Sequence, residues 1–200
     1  MTPPVPTLHA ITDDRVLRSP WFFDVARALS IGAAVAVHLR GRISAREMIA
    51  VADRLRPLLG EAKLFINDRV DIARLVHADG VHLPAGGLPT AAARRLLPET
   101  TLIGRSAHSV EETRDALRDG ADYCFLGPIF ATASHADRAA VGIAGIRAVG
   151  RGPVVGIGGI TPELASACRA AGATGVAAIT ALWDAADPGA AAERFLLSFV

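Results

Sequence analysis

The stretch "PVVGIGGITPELASACRAAGATGVAAI", Pro153 to Ile179, decides the fold. It opens on a short β-branched run (153–158), breaks on the pair Gly158–Gly159, and restarts with Thr161 as a helix cap and Pro162 at the first helical position. An alanine-rich helical segment runs to Gly172, and a second apolar run, 175–179, follows almost at once. Strand, helix and strand joined by such short turns make a βαβ unit with parallel strands. Both strands are apolar throughout instead of alternating, as strands covered on both faces are.

The same unit recurs along the whole chain. Strands are expected at 8–12, 34–39, 63–67, 80–83, 101–104, 122–127, 153–158 and 175–179, each followed by a helical pattern. Ser44 with Glu47 and Ser109 with Glu112 fit capping boxes, and Gly120 is placed as a helix stop. Eight strand–helix units close a (β/α)₈ TIM barrel, and 200 residues sit at the lower limit of that fold. A doubly wound open sheet usually has fewer strands and a glycine-rich first turn, whereas the first turn here is "TDDR" (12–15). One α/β domain over residues 1–200 is expected, with 1–7 as a short disordered tail.

Composition narrows the function. The formal net charge is +1 and Lys63 is the only lysine, so there is no basic surface of the kind nucleic acid requires. No apolar run approaches the roughly 18 residues of a membrane span, and the opening residues lack a signal-peptide core. Cys124 and Cys168 are far apart and outside any metal-ligand spacing, which suits reduced core thiols. A cytoplasmic protein that acts on small molecules is the expectation.

In such a barrel the loops after the strands build the active site. Gly158 and Gly159, followed by a helix start, can present backbone N–H groups to a phosphate, although a tight βα turn demands the same residues. The spacing does not match a dinucleotide fingerprint. Arg40 and Arg42 leave the second strand in phase, as a site for a second anion or as a solvated pair. Asn67–Asp68 is a hydrogen-bonding or Mg²⁺-ligating pair, or a turn. The longest loop, after the sixth strand, carries Thr132, Ser134 and His135. His9 and His38 lie within strands, His82 reads as structural, and His108 is placed to orient Ser106 or cap a helix.

"LHAITDD", "VHLRGR", "FINDRVDIA", "ADGVHLP", "IGRSAHSVEE", "GADYCFLGPIF", "VVGIGGITPE" and "AGATGVAAITALW" occur in this order. Together they resemble the superfamily of thiamine phosphate synthases and TenI-type thiazole tautomerases, over roughly residues 8–188. The resemblance implies a thiazole phosphate ligand. In the synthase branch, Arg40 and Arg42 would hold diphosphate, Asn67 and Asp68 its Mg²⁺ end, and Ser106 its oxygens. Thr132 and Ser134 would face the thiazole, with Gly159 and Thr180 on its phosphate.

The chain departs from both branches. Gly86 and Gly87 stand where the synthase has an acidic Mg²⁺ ligand, His38 replaces its glutamine, and Arg42 and His135 replace lysines. "LGPIF" puts Pro128 where the tautomerase has its catalytic histidine. "LHAITDD", "HLRGR", "LPAGG" and "GRSAHS" nevertheless resemble the tautomerase branch. The sequence therefore leans to a TenI-like tautomerase needing no cofactor, with His135, His38 or His9 as its acid/base. The alternatives are a Mg²⁺-dependent synthase, with Asp68 as its metal ligand, and a silent regulatory barrel that holds thiazole phosphate. Small phosphorylated thiazole and pyrimidine compounds are the expected partners, and a homo-oligomer, by default a dimer, the expected assembly.

Overall fold

A computed structural model describes residues 3–132 and 139–199. The strands are β1 (Leu8–Ile11), β2 (Val35–Leu39), β3 (Lys63–Asn67), β4 (Gly80–Leu83), β5 (Leu102–Ala107), β6 (Tyr123–Leu126), β7 (Val154–Ile157) and β8 (Gly175–Ala178). They pair in parallel in chain order, and β8 returns to β1 to close the barrel. The helices are α1 (Asp14–Leu17), α2 (Phe22–Leu29), α3 (Ala45–Leu55), α4 (Val70–Leu75), α5 (Thr90–Leu96), α6 (Val110–Arg118), α7 (Gly142–Val149), α8 (Pro162–Ala170), α9 (Thr180–Trp183) and α10 (Pro188–Leu197). This is the (β/α)₈ barrel expected.

Period-2 alternation divides each strand between two cores. Outward residues such as Leu8, Val37, Leu64, Val81, Ile103 and Val154 meet apolar helix faces in the larger cluster. Inward residues, Ile11, Ala36, Phe65, Leu102, Tyr123, Phe125, Val155 and Ala177, fill the barrel itself. Three large rings fit because glycines face two of them: a Cβ on Gly80 would lie 2.1 Å from Phe65, and one on Gly104 would lie 2.0 Å from Tyr123. Small against large is how a barrel this narrow is packed to native density.

Local signals mostly act as the sequence implies, with instructive exceptions. The Ser44–Glu47 capping box closes in both directions. Ser109 accepts from the Glu112 N–H, but the Glu112 carboxylate turns back to the His108 N–H, so only half of the second box forms. The "TDDR" turn becomes the single turn α1, because the Asp13 carboxylate caps Val16 N–H. Strand β5 runs on to Ala107, placing Arg105 and Ser106 inside the strand and not in the loop after it. Pro6 is buried, and Thr7 bonds to Ala34 and Val176, so this end of the expected tail is tied beneath the barrel. Cys124 and Cys168 are buried free thiols, with burial pushing them up to about 12 and about 11. Among the described residues no helix is long and apolar enough to cross a membrane.

Candidate active site

Three hollows that share lining residues form one cleft across the C-terminal mouth of the barrel. The central hollow, about 280 Å³, lies over Ile11, Phe125, Pro128, Ile157 and Ile179, with His82, Ser106 and His108 along its side. Gly158 and Ile179 carry it into one end, lined by Gly159, Thr132 and Thr180. Asp13, Arg40, Asn67 and Ser106 carry it into the other end, lined by Arg42 and Asp68. The cleft therefore has an apolar floor with polar side chains beside it, a polar, charged β2–β3 end, and a β7–β8 end of glycines, threonines and small apolar residues.

At the β7–β8 end, Gly158 and Gly159 have φ values of +96° and +65°. A Cβ on Gly158 would lie 2.8 Å from the Pro128 Cα, and one on Gly159 would lie 2.8 Å from the Ala131 carbonyl. The segment after β6 is laid onto this turn, with Phe130 N–H donating to Gly158 C=O. Backbone conformation and close packing thus require both glycines here, whatever ligand the turn holds. The nearby carboxylate of Asp184 is paired with Arg15 through two bonds of 2.7 and 3.0 Å. That pairing offsets a negative charge at the end where an anion is expected.

The β2–β3 end is differently built. The exposed guanidinium groups of Arg40 and Arg42 pair with no carboxylate among the described residues. Asp14 accepts the Arg42 backbone N–H and fixes the loop that carries both arginines. Asp68 is exposed at φ +65°, a strained setting for a residue with a side chain, and its N–H is held by the His82 carbonyl. Across from it, Arg105 donates to the carbonyls of Leu88 (2.9 Å) and Ala85 (2.8 Å). The loop after β4 is thus an ordered turn held by an arginine, with no acidic side chain in it.

Beneath the floor lies a histidine–aromatic layer. His82 Nε2 lies 2.8 Å from Ser106 Oγ and its Nδ1 lies 3.1 Å from Tyr123 Oη. His9 Nδ1 lies 2.8 Å from His38 Nε2, and His38 Nδ1 lies 3.2 Å from Asn67 Oδ1. Burial pushes His9 and His82 down to about 3 and holds His38 well below its ordinary value. His9 and His38 are fully buried and line none of the cleft. A general base must reach its substrate and titrate near neutrality, so the acid/base role expected of these two does not fit their positions. Ser134 and His135 lie outside the described residues. Arg40, Arg42, Asn67, Asp68, Ser106, Thr132, Gly158, Gly159 and Thr180 all line the cleft.

Phe125 lines the cleft without any sequence signal, whereas Asp13 and His108 line it from just past the ends of β1 and β5. His108 Nδ1 donates to the Gly127 carbonyl at 3.1 Å, which leaves its Nε2 unprotonated in the neutral ring. Its place just past the end of β5 was a signal; Phe125, one residue among many apolar ones, gave none.

A closed parallel barrel with a cleft of this kind across its C-terminal mouth has the arrangement of a barrel enzyme acting on small molecules. A family model described as thiamine monophosphate synthase matches residues 8–182, and the chain belongs to that family. It is 42% identical over 178 residues to the thiamine-phosphate synthase of Moorella thermoacetica, covering 86% of this chain and 85% of the relative. The corresponding protein of Chloroflexus aurantiacus is 42% identical over 194 residues, covering 94% and 89%. Among solved structures, thiamine phosphate pyrophosphorylase from Pyrococcus furiosus superposes with a TM-score of 0.82 at 33% identity, covering 96% and 95% of the two chains. A 3-hexulose-6-phosphate synthase, at 16% identity and a TM-score of 0.69, shares the fold alone. The relatives thus favour the synthase over the tautomerase that the sequence reading placed first.

Proposed function

We propose that the protein is a thiamine phosphate synthase, joining hydroxymethylpyrimidine diphosphate to thiazole phosphate with release of diphosphate. The observation that carries this reading is the continuous cleft, with a glycine turn at one end, free guanidinium groups at the other, and an apolar floor between. Two aromatic rings can stack over Phe125 while their anionic groups diverge to opposite ends. The relatives named thiamine-phosphate synthase support the same choice.

In the reaction, the bond between the pyrimidine methylene carbon and the diphosphate oxygen breaks, and diphosphate leaves with the electron pair. The thiazole nitrogen donates its lone pair to that carbon, and the ring becomes a thiazolium. Positive charge develops over the apolar floor while negative charge grows on the leaving group. Arg40, Arg42 and Ser106, which line that end, would stabilise the second by donating hydrogen bonds to it. Gly158, Gly159, Thr132 and Thr180 hold the thiazole phosphate, which orients the attacking nitrogen.

No group of three or more metal-ligating side chains occurs among the described residues. Asp13 caps a helix and Asp14 accepts the Arg42 N–H, each through Oδ1, which makes Asp68 the least engaged carboxylate of this end. One carboxylate fits Mg²⁺ that arrives on a diphosphate, whose oxygens complete the shell, and does not fit an ion held by protein alone. When bound, Mg²⁺ would neutralise charge on the departing diphosphate.

The test is incubation of the protein with both substrates and Mg²⁺, followed by detection of thiamine phosphate and diphosphate in equal amounts. Absence of product while thiazole phosphate still binds would overturn the assignment. Proton transfer on the thiazole, with His108 lining the centre, would then be the activity to assay.

A further inference from the structure

The His9–His38 pair is not idle core, because its protons can be counted. Pro6 C=O lies 2.9 Å from His9 Nε2, and a carbonyl can only accept, so this nitrogen carries the proton. Among the described residues no carboxylate touches either ring; the ring neighbours are Phe65, His82, Tyr123 and Phe125. Both rings are fully buried, and burial disfavours a charged imidazole. A neutral His9 protonated at Nε2 has a bare Nδ1, so the contact of 2.8 Å requires His38 Nε2 to donate. His38, neutral in turn, has a bare Nδ1.

The group 3.2 Å from that nitrogen must therefore donate, and it is the side-chain amide of Asn67. Oxygen and nitrogen of an amide are nearly alike in shape, and only the hydrogen-bond network tells them apart. With Oδ1 toward His38, two acceptors would meet; with Nδ2 there, every donor in the chain is matched. We infer that His9 and His38 are positioning residues that hold the Asn67 NH₂ inward and turn its carbonyl oxygen into the cleft, next to Asp68. The arginine end of the site then contains a fixed acceptor beside a carboxylate, set to take an N–H or O–H donor of the bound substrate. The Asn67 oxygen itself is unsuited to direct contact with a phosphate oxygen, which the neighbouring arginines take instead.

This assignment deepens the synthase reading but can be tested without it. Long-range ¹H–¹⁵N spectra of the histidine-labelled, unliganded protein report each tautomer directly. The expected result is His38 protonated at Nε2 and bare at Nδ1, with His9 the same. A His38 protonated at Nδ1 would overturn the inference, whatever the enzyme assay shows. Folded His9→Phe protein, checked by circular dichroism, should lose the Nε2–H preference at His38, although position 9 cannot touch substrate. In the synthase assay, His38→Phe should raise KM for the pyrimidine diphosphate about tenfold, a small misplacement of a substrate contact, with KM for thiazole phosphate unchanged. His38→Gln, which can still accept from Asn67, should recover most of that loss. An equal rise in both KM values, or no rescue by glutamine, would reduce the pair to packing.

Discussion

Replacing Arg40 by alanine should damage catalysis far more than replacing Arg42, although the two stand two residues apart. Arg40 lines both the apolar centre and the polar β2–β3 end, whereas Arg42 lines only that end. A guanidinium–phosphate bond in a partly desolvated site contributes roughly 1.5–3 kcal/mol, which is about 10- to 150-fold in kcat/KM at 1.36 kcal/mol per decade. A solvated cation contributes nearer 0.2–1 kcal/mol, or about 1.4- to fivefold. Neither side chain has an ion-pair partner among the described residues, so folding stability should change by no more than about 0.5 kcal/mol. The assay is steady-state kinetics with each substrate varied in turn, beside a urea melt. The Arg40→Ala loss should fall on the pyrimidine diphosphate and shrink at high salt for Arg42→Ala more than for Arg40→Ala. Equal losses below threefold for both variants would refute the placement of diphosphate at this end.

Three further outcomes follow from the same geometry. Gly159→Ala must adopt φ +65° and meet the Ala131 carbonyl, so it should lose roughly 1–3 kcal/mol and raise KM for thiazole phosphate; an unchanged melt and KM would show that the turn yields freely. Gly86 has open space around its missing Cβ, so Gly86→Asp should fold normally and lower the Mg²⁺ concentration for half-maximal rate; an unchanged Mg²⁺ dependence would place that loop away from the metal. His9 and His82 sit at about 3 in the folded state, against 6.5 when unfolded. The unfolded chain therefore binds more protons between these values, and stability is full above pH 6.5 and falls as pH drops, by roughly 1.4 kcal/mol per unit per group. Denaturant melts from pH 7 to pH 5 check this; a flat profile would mean that the two rings are wetter than they look.

The barrel was legible because its signals are local and repeated. Each apolar run of strand length is followed by a capped helix, and eight repeats leave few topologies. Short helical turns were not legible: α1 depends on Asp13 folding back onto Val16, and α9 has four residues without a side-chain cap. The cleft was half legible. Arg40, Asn67, Ser106, Gly158 and Thr180 stand at strand ends, which is a one-dimensional feature. Phe125 enters it only because the barrel closes and turns that ring inward beneath the mouth. The histidines misled for a related reason. His38 ends a strand beside two arginines, yet its ring lies flat over Phe65, with centroids 4.7 Å apart, and points to His9.

The mix of tautomerase-like and synthase-like stretches has a physical reading once the residues are placed. In "LHAITDD" and "HLRGR", Asp13, Arg40 and Arg42 line the cleft, while the histidine side chains, His9 and His38, are buried beneath its floor. They set how Asn67 is presented, and so belong to the support of the site and not to its reactive surface. "LGPIF" and the glycine turn, by contrast, form the walls that a ligand touches: Pro128, Gly158 and Gly159 line the cleft. A chain can exchange one buried hydrogen-bonding arrangement for another without changing its chemistry, provided the same polar atoms emerge at the surface. The groups exposed to ligand should therefore weigh more than buried histidines in assigning the reaction. The tautomerase-like "GRSAHS" also lends Ser106 and His108 to the cleft, so it is the relatives that favour the synthase, and the loop after β4, held by Arg105, has no carboxylate to add to the Mg²⁺ role proposed for Asp68.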